Sequence, residues 1–420
     1  MFTMEIKKFL QSGVVLVAAV MIINLLNFAL SAVLGRFLTF ENFGTYTVIN
    51  SIYYLASIIF MALAATVNHW VAFLSTREGA GAGRSFFYGL RKNIIIISLI
   101  SAVVWVLFSP FLKSFINLHT IFPLIYFTPI FLVGPYLFLA RGYLEGMFLF
   151  LFASIVIISE VVSKLFYAVI IFGSHGVNNM AIIIPLSVLT SWLVAIYLCK
   201  HDGKKALKKT FQFPRKFFFA ALISYFASTA SLSVDVIIVK HFMSPSAAGQ
   251  YSLLSLIGKM IYFFGSIANV LLINYISKYE AQGKSVNKIF NLFFLISLVL
   301  TIIIFIPLGL FGNFFVPIFF GARTVVLFPY LISYGIGISL FSLTTTIISY
   351  HLILHEYFYV LIALLLIVLI VFGVSMFHKN ISQIVEVIFF INISCFALVS
   401  AMHLLHKVEK VSRARLIVTE

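Results

Sequence analysis

The sequence predicts an all-α integral membrane protein of twelve transmembrane helices, in two parallel-repeat six-helix lobes around a central cavity. Three observations predict it. Of the 420 residues, 62% are apolar and 10% charged, against about 25% charged in a soluble chain, and the mean hydropathy is +1.14. The apolar residues fall in runs such as Ile94 to Leu107 and Phe358 to Phe372. Such runs suit helices of about 20 residues rather than the short alternating segments of a membrane barrel. An internal repeat at an offset of 205 residues divides the chain nearly in half.

The spans follow in order, most with charge at one end or both. Span 1 (12–34) runs from Lys7 and Lys8 to Arg36. It is too long for a signal-peptide core and is expected to be retained. Span 2 (44–66) precedes the longest extramembrane segment, Val67 to Lys92, with Arg77, Arg84, Arg91 and Lys92. Span 3 (93–112) closes at Lys113. Span 4 (121–140) contains Pro123, Pro129 and Pro135, which are expected to bend it, and ends at Arg141. Span 5 (150–172) carries Glu160 and Lys164 at i, i+4 in the favourable order, so the two are expected to neutralise each other on one helix.

Span 6 (181–199) runs into a basic segment, Lys200–Lys216, that also holds Gly203 and Pro214. Span 7 (217–239) closes at Lys240. Span 8 (249–273) and span 9 (289–311) flank Lys278, Lys284 and Lys288. Span 10 (325–347) follows Arg323, span 11 (358–377) precedes Lys379, and span 12 (383–403) precedes Lys407, Lys410, Arg413 and Arg415. In this register one set of loop ends holds 21 of the 28 Lys and Arg and the other set holds five, with Lys164 and Lys259 inside spans. The positive-inside rule then puts both termini in the cytoplasm of a multi-pass protein of the inner cell membrane. The expected division is an N-terminal lobe, 1–199, a cytoplasmic linker, 200–216, and a C-terminal lobe with its tail, 217–420.

The net charge of +16 would suggest nucleic acid in a soluble protein; in short loops it sets orientation instead. The chain has no GxxxxGK[ST] phosphate loop and no HExxH metal motif, so neither ATP hydrolysis nor metalloprotease chemistry is expected. No cofactor is implied and no enzyme activity is expected. Cys199 and Cys395 have no metal spacing and read as packing residues. His351 and His355 read as interfacial.

At the 205-residue offset, Phe37 matches Phe242, Gly44 matches Gly249, Tyr46 matches Tyr251 and Ile52 matches Ile257, with Thr39/Ser244 and Thr47/Ser252 as conservative pairs. Six spans per half make the repeats parallel, and transporters with such repeats bind substrate between the halves. Span 8 presents Ser252, Ser255, Lys259, Tyr262, Ser266 and Asn269 on one helical face. The equivalent face of span 2 has Thr47, Asn50, Tyr54 and Ser57. Span 7 adds Ser224, Ser228, Ser231 and Asp235, and span 1 adds Asn24, Asn27 and Ser31. Serines on such faces are often interhelical packing. A charge within a span costs about 2.5–3.5 kcal/mol to insert and faces a partner or water. Lys259 lies too deep for easy snorkelling and is the sharper cavity candidate; Asp235 lies near the outer end of its span.

The segment Arg36-Phe-Leu-Thr-Phe-Glu-Asn-Phe-Gly44-Thr-Tyr46 resembles the signature of the polysaccharide transporter family, and Asp235 through Gly249-Gln-Tyr251 resembles its second-half counterpart. Arg141-Gly142-Tyr-Leu-Glu-Gly146 resembles that family's arginine–glycine loop before helix 5. The family holds the O-antigen and capsule flippases and belongs to the multidrug/oligosaccharidyl-lipid/polysaccharide exporter superfamily. The resemblance implies a cavity lined largely by spans 1, 2, 7 and 8, and a polyprenyl-pyrophosphate-linked oligosaccharide as cargo, flipped by alternating access for surface polysaccharide synthesis.

On that reading Asn24, Asn27, Asn50, Tyr54, Tyr262 and Asn269 would meet sugar hydroxyls, Lys259 would meet the pyrophosphate, and Asp235 would serve structure or coupling. Expected partners are the lipid-linked oligosaccharide and membrane lipids, with a glycan polymerase or glycosyltransferases as further candidates and no nucleic acid. The span 10–11 loop departs from the pattern, since it has no Lys or Arg. A multidrug or organic cation antiporter of the same superfamily is the first rival, disfavoured by the single strong acidic candidate, Asp235. A membrane-embedded glycan polymerase or acyltransferase is the second, disfavoured by the short loops.

The charge asymmetry makes a topological prediction. A cysteine at position 42 reacts with an impermeant thiol reagent added to intact cells, and one at position 205 is spared; the reverse pattern would refute the orientation.

Overall fold

A computed structural model describes residues 21–172, 181–201, 206, 207, 209–269, 272, 286–354, 356 and 358–419. Among them the chain is all-helical, and nine helices are long and apolar enough to cross a membrane, with two shorter apolar helices at Met21–Phe37 and Leu361–Met376. The protein is a multi-pass membrane protein. It divides into two compact units, Met1–Thr229 and Ala230–Glu420.

The first unit contains α1 (Met21–Phe37), α2 (Phe40–Glu78), α3 (Ala80–Phe115), α4 (Phe122–Gly146), α5 (Phe150–Phe172), α6 (Ile183–Lys200) and α7 (Arg215–Ala230). The segment 67–92, expected to be extramembrane, is helical throughout except at Gly79. Gly79 takes φ +89°, a conformation in which a side chain is strained. The chain turns back there in a single residue, and the charged ends of α2 and α3 remain helical. Hydropathy marks where a helix leaves lipid, not where it ends.

α4 is interrupted at Tyr126–Phe127, between Pro123 and Pro129, while Pro135 lies within its continuous part. Its first turn, Phe122–Ile125, has Pro123 near its start, and the helix resumes at Thr128 with Pro129. Trp105 Nε1 of α3 donates to the Leu124 carbonyl oxygen at the break, 2.8 Å. The Arg141–Gly146 segment, expected in a loop, forms the last turns of α4. Gly142 and Gly146 lie against the α2 backbone: a Cβ at Gly142 would sit 2.3 Å from the Ala64 carbonyl oxygen, and one at Gly146 2.6 Å from that of Asn68. These are the close approaches that small residues four apart allow between membrane helices.

The described part of the basic linker is docked on the first unit. Ser85 Oγ donates to the Leu207 carbonyl, 2.6 Å, Leu207 N–H donates to the Gly81 carbonyl, 3.3 Å, and Lys209 Nζ pairs with Glu78 Oε2, 2.6 Å. Gly203, Lys204, Lys205 and Lys208, like Lys7, Lys8, Lys278 and Lys284, lie outside the described residues, as do the side chains of Lys407, Lys410, Arg413 and Arg415.

The second unit contains α8 (Val234–Phe242), α9 (Pro245–Gly265), α10 (Asn287–Phe305), α11 (Gly312–Phe320), α12 (Phe328–Ile353), α13 (Phe358–Met376) and α14 (Ile381–Thr419). Span 7 of the sequence reading is thus α7 and α8, separated by the turn Ser231–Ser233. α10 continues into a π-turn at Ile306–Leu310 whose second residue is Pro307, and Phe311 N–H reaches the Ile306 carbonyl, 2.8 Å. Proline cannot continue the i to i−4 ladder, and a π-turn absorbs the mismatch.

The repeat is visible in local structure. Thr39 caps α2 through Oγ1 to Asn42 N–H, 3.3 Å, and Ser244, its partner at the 205-residue offset, caps α9 through Oγ to Ala247 N–H, 3.4 Å. Each hydroxyl satisfies one of the unpaired N–H groups of a helix start. The packing order also recurs. In the first unit α2 lies on α3 and α4, α3 on α4, and α6 on α4 and α5. In the second, α9 lies on α10 and α12, α10 on α12, and α14 on α12 and α13.

The glycine approaches give a stability prediction. Gly142→Leu lowers the melting temperature of the purified protein, because overpacking costs about 1–3 kcal/mol and the opposing atom is backbone. Gly89→Ala, with nothing within 4 Å of the new Cβ, leaves stability unchanged or raises it by about 0.5–1 kcal/mol. Thermal unfolding of the two variants in detergent checks this contrast.

Candidate functional site

Asp235 is the centre of a polar cluster within the second unit. It lies in the first turn of α8 and is 5% exposed. Its Oδ2 accepts from Tyr251 Oη, 2.7 Å, from Ser255 Oγ, 3.4 Å, and from Tyr334 Oη, 3.5 Å. Tyr251 and Ser255 are one turn apart on α9, and Tyr334 comes from α12. The tyrosine rings meet edge-on at 6.1 Å. Gly258 makes room for this: a Cβ there would sit 2.4 Å from Tyr334. Asp235 Oδ1 is buried and has no hydrogen-bond partner.

Lys259 is half-buried on α9, one turn beyond Ser255. It interacts electrostatically with Asp235, yet no hydrogen bond or ion pair joins the two among the described residues. A direct salt bridge is therefore not what holds α8 to α9. The rest of the α9 stripe divides. Ser252 and Ser255 are buried, and Tyr262 stacks on Phe341 at 5.2 Å. Ser266 Oγ donates back to the Phe263 carbonyl, 3.1 Å. Asn269 is half-buried with Oδ1 unpartnered. At the end of α9, Ser297 Oγ of α10 donates to the Gly265 carbonyl, 2.8 Å, which satisfies a helix-end acceptor inside the bundle.

In the first unit, Lys164 Nζ pairs with Glu160 Oε1 on α5, 2.8 Å, with both side chains buried. The expected neutralisation is in place. Tyr46, Tyr53 and Tyr54 of α2 interact electrostatically with Lys164 or with one another. Asn50 and Tyr54 are half-buried on α2, and Asn24 and Asn27 are half-buried on α1. The side chains of Ser224 and Ser228 lie outside those described. Arg36 is exposed after α1, and Gly44, Tyr46, Gly249 and Tyr251 are buried. Arg141 lies over the Phe138 ring at 5.2 Å. Its neighbour Glu145 accepts from Asn68 Nδ2 of α2, 3.1 Å, a link between α2 and α4 that the sequence reading did not find. Among the described residues, no group of three or more His, Cys, Asp and Glu has the geometry to hold a metal ion.

No family model matches the chain, and no curated protein matches it. Solved structures do. The chain is similar to an inward-facing multidrug resistance MATE family transporter of the MOP superfamily, at TM-score 0.70 and 14% identity, covering 93% of this chain and 98% of that one. It is similar to the lipid II flippase MurJ in an inward closed conformation, at TM-score 0.69 and 15% identity, covering 92% and 86%. It is also similar to the MATE multidrug transporter DinF-BH, at TM-score 0.69 and 16% identity, covering 93% and 94%. This chain has the fold of MOP superfamily transporters. At such identities the likeness is one of fold, and the fold serves both drug export and lipid flipping.

The Asp235 cluster predicts a graded response. Tyr251→Phe removes the shortest hydrogen bond to a buried carboxylate and destabilises by about 1.5–3 kcal/mol, while Ser255→Ala, which removes a 3.4 Å contact, costs clearly less. Melting temperatures of the two variants in one detergent should rank in that order.

Proposed function

We propose that the protein is a flippase for a polyprenyl-pyrophosphate-linked oligosaccharide, working by alternating access in the cytoplasmic membrane. The observation that carries the reading is the state of the ionisable groups within the helices. Glu160 is paired with Lys164, Glu145 is held by Asn68, and Asp235 accepts from Tyr251. Lys259, in contrast, stands on a polar helix face and makes no direct ion pair among the described residues, Asp235 acting on it only through space. A half-buried cation without a direct ion pair is costly unless water or an anion meets it, and a pyrophosphate is a suitable anion.

The asparagines Asn24, Asn27, Asn50 and Asn269, with Tyr54 and Tyr262, offer donors and acceptors for sugar hydroxyls. The polyprenyl tail would stay in lipid. Asp235, already engaged by two tyrosines, serves the fold or the coupling of transport to an ion rather than sugar contact. Surface polysaccharide synthesis then makes glycosyltransferases and a glycan polymerase the enzymes that act before and after this step.

A multidrug antiporter is the second reading. It is favoured by the likeness to MATE transporters and by the unpartnered Asp235 Oδ1, which could attract a cation.

Substitution at position 259 separates them. Lys259→Ala inserts normally but fails to flip lipid-linked glycan in proteoliposomes, whereas Lys259→Arg keeps partial activity, because charge survives while geometry changes. Transport in the double variant Asp235→Asn/Lys259→Ala stays as low as in Lys259→Ala. Recovery in the double variant would reduce Lys259 to a structural counter-charge, and drug efflux unaffected by Lys259→Ala would favour the antiporter.

A further inference from the structure

The end of α12, the turn after it and α14 bring three imidazoles around one carboxylate. His351 is 1% exposed and lies flat on Tyr359 of α13, with centroids 3.6 Å apart and planes at 3°. Its Nδ1 meets Glu356 Oε2 in the turn, and its Nε2 lies 2.9 Å from His403 Nδ1 of α14. His406, one turn further along α14, brings Nε2 to 3.0 Å from Glu356 Oε1. The other groups around these rings are Tyr350 of α12, whose hydroxyl donates to Asn287 Oδ1 of α10, 2.9 Å, and Phe290 of α10, at 4.7 Å from the His403 ring. Tyr350 and Tyr359 both interact electrostatically with Glu356. His355 lies outside the described residues.

The proton count of this network decides its shape. A hydrogen bond between two imidazole nitrogens needs one donor and one acceptor. His403 Nδ1–H can donate to His351 Nε2 while His351 Nδ1–H donates to Glu356. That arrangement survives with both rings neutral or with one protonated. When both are protonated, two N–H groups on two cations face each other at 2.9 Å, and attraction becomes repulsion. One carboxylate balances one imidazolium, not two. Imidazole is the side chain whose ordinary titration falls between pH 5 and 8.

We propose that His351, Glu356, His403 and His406 form a proton-binding clasp. At neutral pH it ties α14 to the end of α12, and protonation of both His351 and His403 releases it. The proposal concerns the second unit alone and is independent of the cargo. In a transporter of this fold it would make the conformational exchange of that unit respond to pH.

The test uses the full chain, with Cys199 and Cys395 replaced by alanine and spin labels on cysteines at the exposed positions Ile332 of α12 and Leu405 of α14. Pulsed electron–electron distances are measured from pH 7.5 to pH 5.5. The expected result is a several-fold rise in the longer-distance population on acidification. His403→Phe keeps a ring beside Phe290 but removes the partner of His351. It should show the longer population already at pH 7.5 and lose the pH response. A flat titration in the unsubstituted clasp overturns the proposal whether or not the variant folds. So does a response that persists unchanged in His403→Phe, or one abolished by a chelator, which would assign the cluster to a metal ion.

Discussion

Each unit must neutralise charge inside an apolar bundle, and the rest of its packing is arranged around how it does so. Moving a charged side chain into the centre of a membrane helix costs about 2.5–3.5 kcal/mol on insertion scales. In the first unit the cost is offset on a single helix, where Lys164 and Glu160 lie one turn apart at 2.8 Å. In the second it is offset across helices, where Asp235 of α8 accepts from tyrosines of α9 and α12. Tyr46 of α2, in electrostatic contact with Lys164, and Tyr251 of α9, hydrogen-bonded to Asp235, are equivalent residues of the internal repeat. The repeated position thus carries a buried tyrosine in both halves, and in the second it hydrogen-bonds the buried charge directly.

Close helix packing follows from this arrangement. A short hydrogen bond across two helices needs backbones near each other, and glycine supplies the approach at Gly258 beside Tyr334. Gly142 and Gly146 do the same between α4 and α2, where Asn68 reaches Glu145. Hydroxyl groups then satisfy what the approach exposes, as Ser297 does for the Gly265 carbonyl. Lipid offers no hydrophobic force between helices, so van der Waals contact and such hydrogen bonds carry their association.

Much of this was legible in sequence because the relevant signals are local. Long apolar runs gave most of the membrane helices, and the Thr39/Ser244 pair of the repeat, in sequence only a conservative match, proves to cap two helix starts alike. The i, i+4 spacing of Glu160 and Lys164 sufficed to pair them. The extensions of α2 and α3 through 67–92 were missed because the charged residues Arg77, Glu78, Arg84, Arg91 and Lys92 make a helical stretch resemble a loop on a hydropathy scale. The Arg141–Gly146 helix end was missed because the charge of Arg141 reads as the end of the span and the resemblance implies a loop, whereas here the two glycines are packing residues. The Asn68–Glu145 link and the histidine cluster were missed for another reason. Their members are 77 and up to 55 residues apart, and only tertiary packing brings them together.

The asymmetry between the halves carries the functional argument furthest. At the 205-residue offset Tyr54 corresponds to Lys259, so a neutral phenol in one half faces the role of an ammonium in the other. The first unit holds its lysine in a buried ion pair, where it has no charge left to offer. The second unit holds its acid with hydroxyl donors, and Lys259 feels that acid only through space, with no direct ion pair to it among the described residues. A scaffold repeated twice would otherwise present the same surface twice. On the proposed reading, a cargo with one anionic end and one sugar end needs the two halves to differ, and the placement of a single ammonium on α9 is the difference that distinguishes them.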